Sequence, residues 1–185
     1  MRKVVVIGGS AGAIDALMRI MSSINPSFAY PIVCVLHVMP GRPSLLAEIF
    51  STRCGLKTKE AESTEKAENG TIYFGPPDYH LSLESNGSFS LSTEEPVNYS
   101  RPSIDLLFES AAYAFGANVV AILLSGANSD GAEGLATILK RGGRVFVQDP
   151  LTALFPEMPQ AALERVKPTG MLAPEAIAEF LNSVF

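Results

Sequence analysis

The chain has 185 residues, which bounds it to one domain, or one domain with a small extension. Fourteen Lys and Arg against nineteen Asp and Glu leave a net charge of −5, without the basic balance that a nucleic-acid partner would demand. With 47% hydrophobic and 18% charged residues the chain can bury a sizeable core, which excludes a disordered protein.

Taken in chain order, Lys3 to Ile7 is a β-branched run that reads as a buried strand ending in Gly8-Gly9. Met1-Arg2-Lys3 before Val4 to Ile7 imitates a signal peptide, but an apolar stretch of four residues is too short for one. Nothing approaches the ~18 apolar residues of a membrane span, so a soluble, cytoplasmic protein without membrane insertion is expected. Ala11 to Ser22 places Ile14, Leu17, Met18 and Met21 at helical spacing, and Asn25-Pro26 ends that segment. Ile32 to Leu36 is the next buried strand, with Cys34 as a core thiol; Cys34 and Cys54 lack the spacing of a disulfide framework or a metal site. Pro43 opens a helix carrying Leu45, Leu46, Ile49 and Phe50.

The middle of the chain changes character. Thr71 to Phe74, Tyr79 to Leu83 and Ser88 to Leu91 are short and alternating, and Asn86-Gly87 is a hairpin-turn signal, so an antiparallel piece is expected to interrupt the α/β pattern. Ser103 then caps a helix through about Phe115. Val119 to Leu124 is the most apolar strand, followed by a helix from Gly131 to Lys140, a strand Arg144 to Val147, a helix near Gln160 to Arg165 and a last helix from Pro174. The pattern predicts one α/β domain over residues 1–185: a doubly wound, mostly parallel, Rossmann-like sheet with an antiparallel hairpin insertion.

Gly8-Gly9-Ser10-Ala11-Gly12 fits the G-x-S-x-G of a nucleophile elbow, in which small residues permit a sharp turn that lifts the serine hydroxyl above the sheet edge. The N–H groups that follow, Ala11 first, point out of a helix N-terminus and could hold an oxyanion. Taken alone the pattern is common, and Ser10 is then only a helix N-cap. A dinucleotide fingerprint fails, because Ser10 and Ala13 stand where it needs glycine and His37 where it needs an acid; no cofactor is implied.

His37 directly follows the strand Ile32 to Leu36, as Ser10 follows the first strand, so adjacent strands would deliver both to one rim. Asp130 follows the strand Val119 to Leu124 and opens a helix, where it reads singly as an N-cap that asparagine would replace without loss. Together the three supply nucleophile, base and orienting carboxylate along the rim where open α/β sheets build their sites. The order Ser, His, Asp is not that of the α/β-hydrolases. His80 reads as structural, and Arg101 is left between an acidic partner and solvent.

Six segments in order resemble one family: Ile7-Gly8-Gly9-Ser10-Ala11-Gly12, His37-Val38-Met39-Pro40-Gly41, Tyr73 to His80, Arg101-Pro102-Ser103-Ile104-Asp105-Leu106-Leu107-Phe108, Leu124 to Gly131, and Gln148-Asp149. Over roughly Lys3 to Leu181 the chain resembles the catalytic domain of the chemotaxis receptor methylesterases, the CheB-type protein-glutamate methylesterases. The resemblance implies Ser10 as nucleophile, His37 as base, Asp130 as carboxylate and the Ala11 and Ala127 N–H groups as oxyanion donors. It implies methyl-accepting chemoreceptor cytoplasmic domains as substrates and deamidation of receptor glutamine as a second activity. Leu36, Ala13 and Gly126-Ala127-Asn128 stand where the family usually has Gln, Gly and Gly-Met-Gly. Because the chain opens at its first strand, no receiver domain is expected, and restraint would fall to a separate regulatory protein. The competing expectation is a non-catalytic domain of this fold that binds chemoreceptors or a signalling partner.

Overall fold

A computed structural model describes residues 3–39 and 41–184 of the chain. Met1 and Arg2 of the signal-like stretch and Pro40 of the histidine segment lie outside the described residues, as does Phe185. In chain order the elements are β1 (Val4–Gly9), α1 (Ala13–Met21), β2 (Ile32–Leu36), α2 (Leu46–Ser51), β3 (Lys57–Glu60), β4 (Thr71–Phe74), β5 (His80–Leu83), β6 (Phe89–Ser92), α3 (Ile104–Phe115), β7 (Val119–Leu123), α4 (Ala132–Lys140), β8 (Arg144–Gln148), α5 (Glu157–Arg165), β9 (Gly170–Leu172) and α6 (Pro174–Val184).

Seven strands form one sheet in the order β3-β4-β2-β1-β7-β8-β9, every pair parallel. Parallel strands must be covered on both faces, and β1, β2, β4 and β7 are accordingly buried at every position. Alternate side chains of β1 serve opposite cores. Val4 and Val6 pack with Leu107, Phe108, Leu135 and Met158 of α3, α4 and α5, whereas Val5 and Ile7 pack with Leu17, Ile20 and Leu181 of α1 and α6. Helix α1 buries Ala13, Ala16, Leu17, Ile20 and Met21, a stripe at three- and four-residue spacing. The doubly wound sheet with a hairpin expected from the sequence is therefore present. The hairpin is β5–β6, turning at Asn86-Gly87 and packed on α3 through Leu81, Leu83 and Phe89. Among the described residues no helix is long and apolar enough to cross a membrane.

Several elements differ from their sequence expectation. Thr71–Phe74 does not belong to the antiparallel piece: Ile72 pairs with Ile32, and the strand lies inside the main sheet. Its four residues are all buried, so the alternation of Thr and Tyr with Ile and Phe does not mark a wet face. Strand β3, Lys-Thr-Lys-Glu, carries no apolar residue and β9 has three residues; both are edge strands without a pattern to announce them. Helix α2 starts at Leu46 rather than Pro43, α5 at Glu157 rather than Gln160, and α1 at Ala13 rather than Ala11.

Strand β1 continues through Gly8 and Gly9 instead of turning there. Gly8 is fixed by what crosses it: a Cβ at this position would lie 2.2 Å from Ile104 Cγ2 and 3.1 Å from Phe108 Cζ, because α3 packs directly on the strand. Gly8→Ala should thus overpack the β1–α3 contact, costing about 1–3 kcal/mol. At roughly 2–4 °C per kcal/mol for a chain of this size, thermal unfolding should show the melting temperature falling by several degrees. An unchanged melting temperature would mean that α3 can retreat from the strand at no cost.

Candidate active site

Strand order runs outward in both directions from β1, through β2 and β4 on one side and through β7 and β8 on the other. The boundary between β1 and β7 is thus the topological switch point, where the carboxyl ends of the strands leave a crevice. Ser10 emerges from β1, and Asp130 lies in the loop between β7 and α4. His37 emerges from β2, next on the other side. The registers bring the rim together: Gly9 pairs with Leu36, the His37 N–H donates to Gly9 O (3.1 Å) and the Ser10 N–H to Ser125 O (2.9 Å).

The turn at Ser10 is not a serine-capped helix start. Gly12 occupies the N-cap of α1 at φ +77°, and no side chain caps it. A side chain at Gly12 would be strained by that φ and would meet Ser125 Oγ and Leu154 Cβ, each at 2.8 Å. The space serves a knot of hydrogen bonds at the buried Ser125, whose Oγ donates to Ala11 O (2.8 Å) and accepts from the Phe155 N–H (3.0 Å). Its own N–H donates to Oε1 of the buried Gln148 (2.9 Å). The knot leaves the chemistry of the turn unspent. Among the described residues the Ser10 hydroxyl makes no hydrogen bond, and the Ala11 and Ala127 N–H groups have no acceptor.

Asp130 is fully buried and bonded to His37, Oδ2 to Nε2 at 2.9 Å, while the His37 side chain is 13% exposed. Asp130 does cap a helix, but not the one it precedes. It accepts from the Ile104 N–H (2.8 Å, Oδ2), the Asp105 N–H (3.0 Å, Oδ1) and Ser103 Oγ (3.1 Å, Oδ1), and so seals the N-terminus of α3. Burial pushes the Asp130 carboxyl up, but the bonds from His37, Ile104 and Asp105 outweigh it and hold the group below the ordinary carboxylate range. Asp130 thus accepts at Nε2, leaving the lone pair of neutral His37 at Nδ1. Two long contacts reach that nitrogen, from Ser100 Oγ and Asn128 Nδ2, each at 3.4 Å. Beside His37 a cavity of about 250 Å³ is lined by Asp78, Tyr99, Ser100 and Arg101 among others.

The structure thus joins His37 to Asp130 directly and puts Ser10 at the strand end adjoining that of His37, without a hydrogen bond from its hydroxyl to either. Arg101 Nη1 donates to Thr93 O (2.8 Å) and Glu94 O (2.9 Å), stapling the strand leaving the hairpin to the approach of α3. His80 is 1% exposed, accepts the Ser103 N–H at Nδ1 (3.2 Å) and faces Glu95 O from Nε2 (3.1 Å), as a structural residue should. Ser103, Ser125 and Asn128 received no role in the site from sequence. The one signal within reach was Asp105, a charge on the buried face of α3 that also carries Ile104, Leu107 and Phe108.

Residues 5–181 match the family model described as CheB methylesterase. A Leptospira interrogans (strain Fiocruz L1-130) chain is 43% identical over 175 residues, 95% of this chain and 91% of its own length. The protein-glutamate methylesterase/protein-glutamine glutaminase 1 of Carboxydothermus hydrogenoformans is 36% identical over 96% of this chain and 55% of its own length, so the chain spans about half of that relative. Among solved structures, the Thermotoga maritima CheB methylesterase catalytic domain superposes with a TM-score of 0.96 at 32% identity, covering 100% of both chains. On the family match, the relatives and the shared fold, the chain belongs to the CheB methylesterase family.

Proposed function

We propose that the chain is a protein-glutamate methylesterase of the cytoplasm, demethylating γ-glutamyl methyl esters on the cytoplasmic domains of methyl-accepting chemoreceptors. The observation that carries this reading is the buried Asp130–His37 pair set beside the unpartnered hydroxyl of Ser10 at the switch point. Large apolar side chains stand exposed around that rim, Met39 at 70%, Leu154 at 74% and Tyr99 fully so, as a protein substrate would require.

In this mechanism Ser10 Oγ gives its proton to His37 Nδ1 as it attacks the ester carbonyl. The long contacts from Ser100 and Asn128 must yield, as apo contacts at a base do when substrate arrives. The carbonyl oxygen takes up the electron pair as an oxyanion held by the Ala11 and Ala127 N–H groups. The imidazolium, stabilised by Asp130, returns the proton to the departing methanol. Water activated by His37 then releases the glutamate carboxyl from Ser10. A glutamine side chain can follow the same route with ammonia as the leaving group, which is the deamidase activity.

Ser10→Ala should leave circular dichroism unchanged and lower methanol release from methylated receptor cytoplasmic domains by about 10³-fold or more. Wild-type protein should also be labelled at Ser10 by a serine-directed phosphonate. A chain that neither takes the label nor releases methanol is a binding module instead.

Asp130→Asn should lose on two counts. Both carboxylate oxygens accept N–H groups of α3, so either orientation of an amide turns a donor against a donor. A fall of several degrees in melting temperature should accompany a loss of kcat approaching 10⁴-fold, unlike the silent exchange expected of a simple cap. Unaltered kcat in a destabilised variant would reduce Asp130 to a clamp on α3.

A further inference from the structure

Behind Asp130 lies a second buried carboxylate that the mechanism does not use. Asp105 is 6% exposed and sits in the first turn of α3. Its N–H donates to Asp130 Oδ1 (3.0 Å), while its own Oδ1 accepts the Gly134 N–H of α4 (2.8 Å) and its Oδ2 accepts from Asn98 Nδ2 (3.2 Å). The two aspartates thus exchange caps: Asp130, just ahead of α4, seals α3, and Asp105, at the start of α3, binds α4. Asp105 also lines a cavity of about 370 Å³ with Asn98, Ser129, Glu133 and Arg165, distinct from the cavity beside His37, which gives protons a route to it.

Resting on the esterase reading above, we propose that Asp105 is a positioning residue for the triad. As a carboxylate it backs the charge of Asp130 and strengthens the hold on the His37 imidazolium; as an acid it shares its proton with Asp130 and withdraws that support.

Burial pushes the Asp105 carboxyl up to about 7 against the pull of the Gly134 N–H, and the charge of Asp130 adds to the rise. The charged groups around it favour the acid form. Asp130 faces it from the β7–α4 loop and Glu109 from its own helix; of the groups at the second cavity, Arg165 is paired with Glu133, and Glu164 adds a further carboxylate. His37 is linked to it through Asp130, and His80 through Ser103 and Asp130. Neighbouring sites that interact in this way titrate as a unit, so the state of Asp105 should be read in the rate.

Asp105→Asn cannot ionise and keeps the position neutral at every pH. The test compares its kcat/KM for methanol release with that of wild type from about pH 5.5 to about 8.5. The ratio of wild type to variant should rise about five- to tenfold, with its midpoint near pH 7. A constant ratio would overturn the proposal and leave Asp105 as a clamp between helices.

Thermal unfolding supplies a readout independent of ester hydrolysis. A folded-state value above the unfolded ~3.9 means that stability present at acid pH is lost as pH rises through about 7. The melting temperature of wild type relative to Asp105→Asn should therefore fall over that window. If it falls while the kcat/KM ratio stays flat, Asp105 titrates without reaching the triad and the proposal fails. If Asp105→Asn does not fold, Asn98→Gly carries the test: it removes the donor to Asp105 at a residue whose φ is +50°, which glycine adopts freely. It should move the acid limb of the wild-type profile to higher pH, and an unmoved limb refutes the proposal. Wild-type protein that releases no methanol and takes no phosphonate label refutes the esterase reading, and this proposal with it.

Discussion

A carboxylate that must stay ionised with no access to water needs donors in place of solvent, and the structure around Asp130 meets that need. An unpaired buried charge would cost several kcal/mol or neutralise itself. The first turn of α3 offers N–H groups that no residue of its own helix can accept, together with the positive end of the helix dipole. Bringing the two together answers both deficits, and it obliges α3 to lie over β1 at the switch point. The glycine at position 8 follows from that closeness, since Ile104 and Phe108 occupy the space a side chain would fill. The His37 bond then completes the solvation of Asp130, so the imidazole is oriented by the same requirement that fixes the helix.

The rim opposite is held by backbone instead of charge. Ser125 ties three segments with one residue: its carbonyl takes the Ser10 N–H, its hydroxyl takes up Ala11 O and the Phe155 N–H, and its N–H goes to Gln148. Satisfying those groups within the protein restricts the turn without occupying the Ser10 hydroxyl or the N–H groups of Ala11 and Ala127. A nucleophile needs freedom at one atom and rigidity at all the others. Gly12 permits this arrangement, because its left-handed φ bends the chain into α1 while its missing side chain admits Ser125 Oγ and Leu154.

How much of this could be read from sequence depended on whether the cause was local. The glycine-flanked Ser10 and the apolar runs before His37 and Asp130 announce strand ends, and a parallel sheet brings strand ends to one rim by its topology. Polar edge strands such as Lys57–Glu60 carry no such mark, and Thr71–Phe74 looked half-wet only because Thr and Tyr alternate with Ile and Phe. The partner of Asp130 was hidden for a different reason. A cap is legible when the donor lies two or three residues onward, whereas the N–H groups that Asp130 accepts lie 25 and 26 residues earlier and arrive only with the fold. The Arg101 bonds, to carbonyls 7 and 8 residues earlier in the chain leaving the hairpin, likewise depend on a loop that no local pattern announces.

The two buried aspartates show why burial alone does not decide a carboxyl group's state. Both are removed from water, both sit at helix N-termini, and each would be pushed toward neutrality by desolvation. They differ in donors. Asp130 receives Ser103 Oγ, two N–H groups and His37, whereas Asp105 receives one N–H and the Asn98 amide. The first keeps its charge below the ordinary range, and that charge then falls on the second and drives it further toward the acid form. One exchange of caps between two helices therefore separates a pair of identical side chains into a carboxylate held below the ordinary range and a group poised near neutrality. Such a separation of two carboxyls by their surroundings is how a fold assigns them different work. Here the anion is the one that touches the imidazole, and the poised group stands one residue behind it.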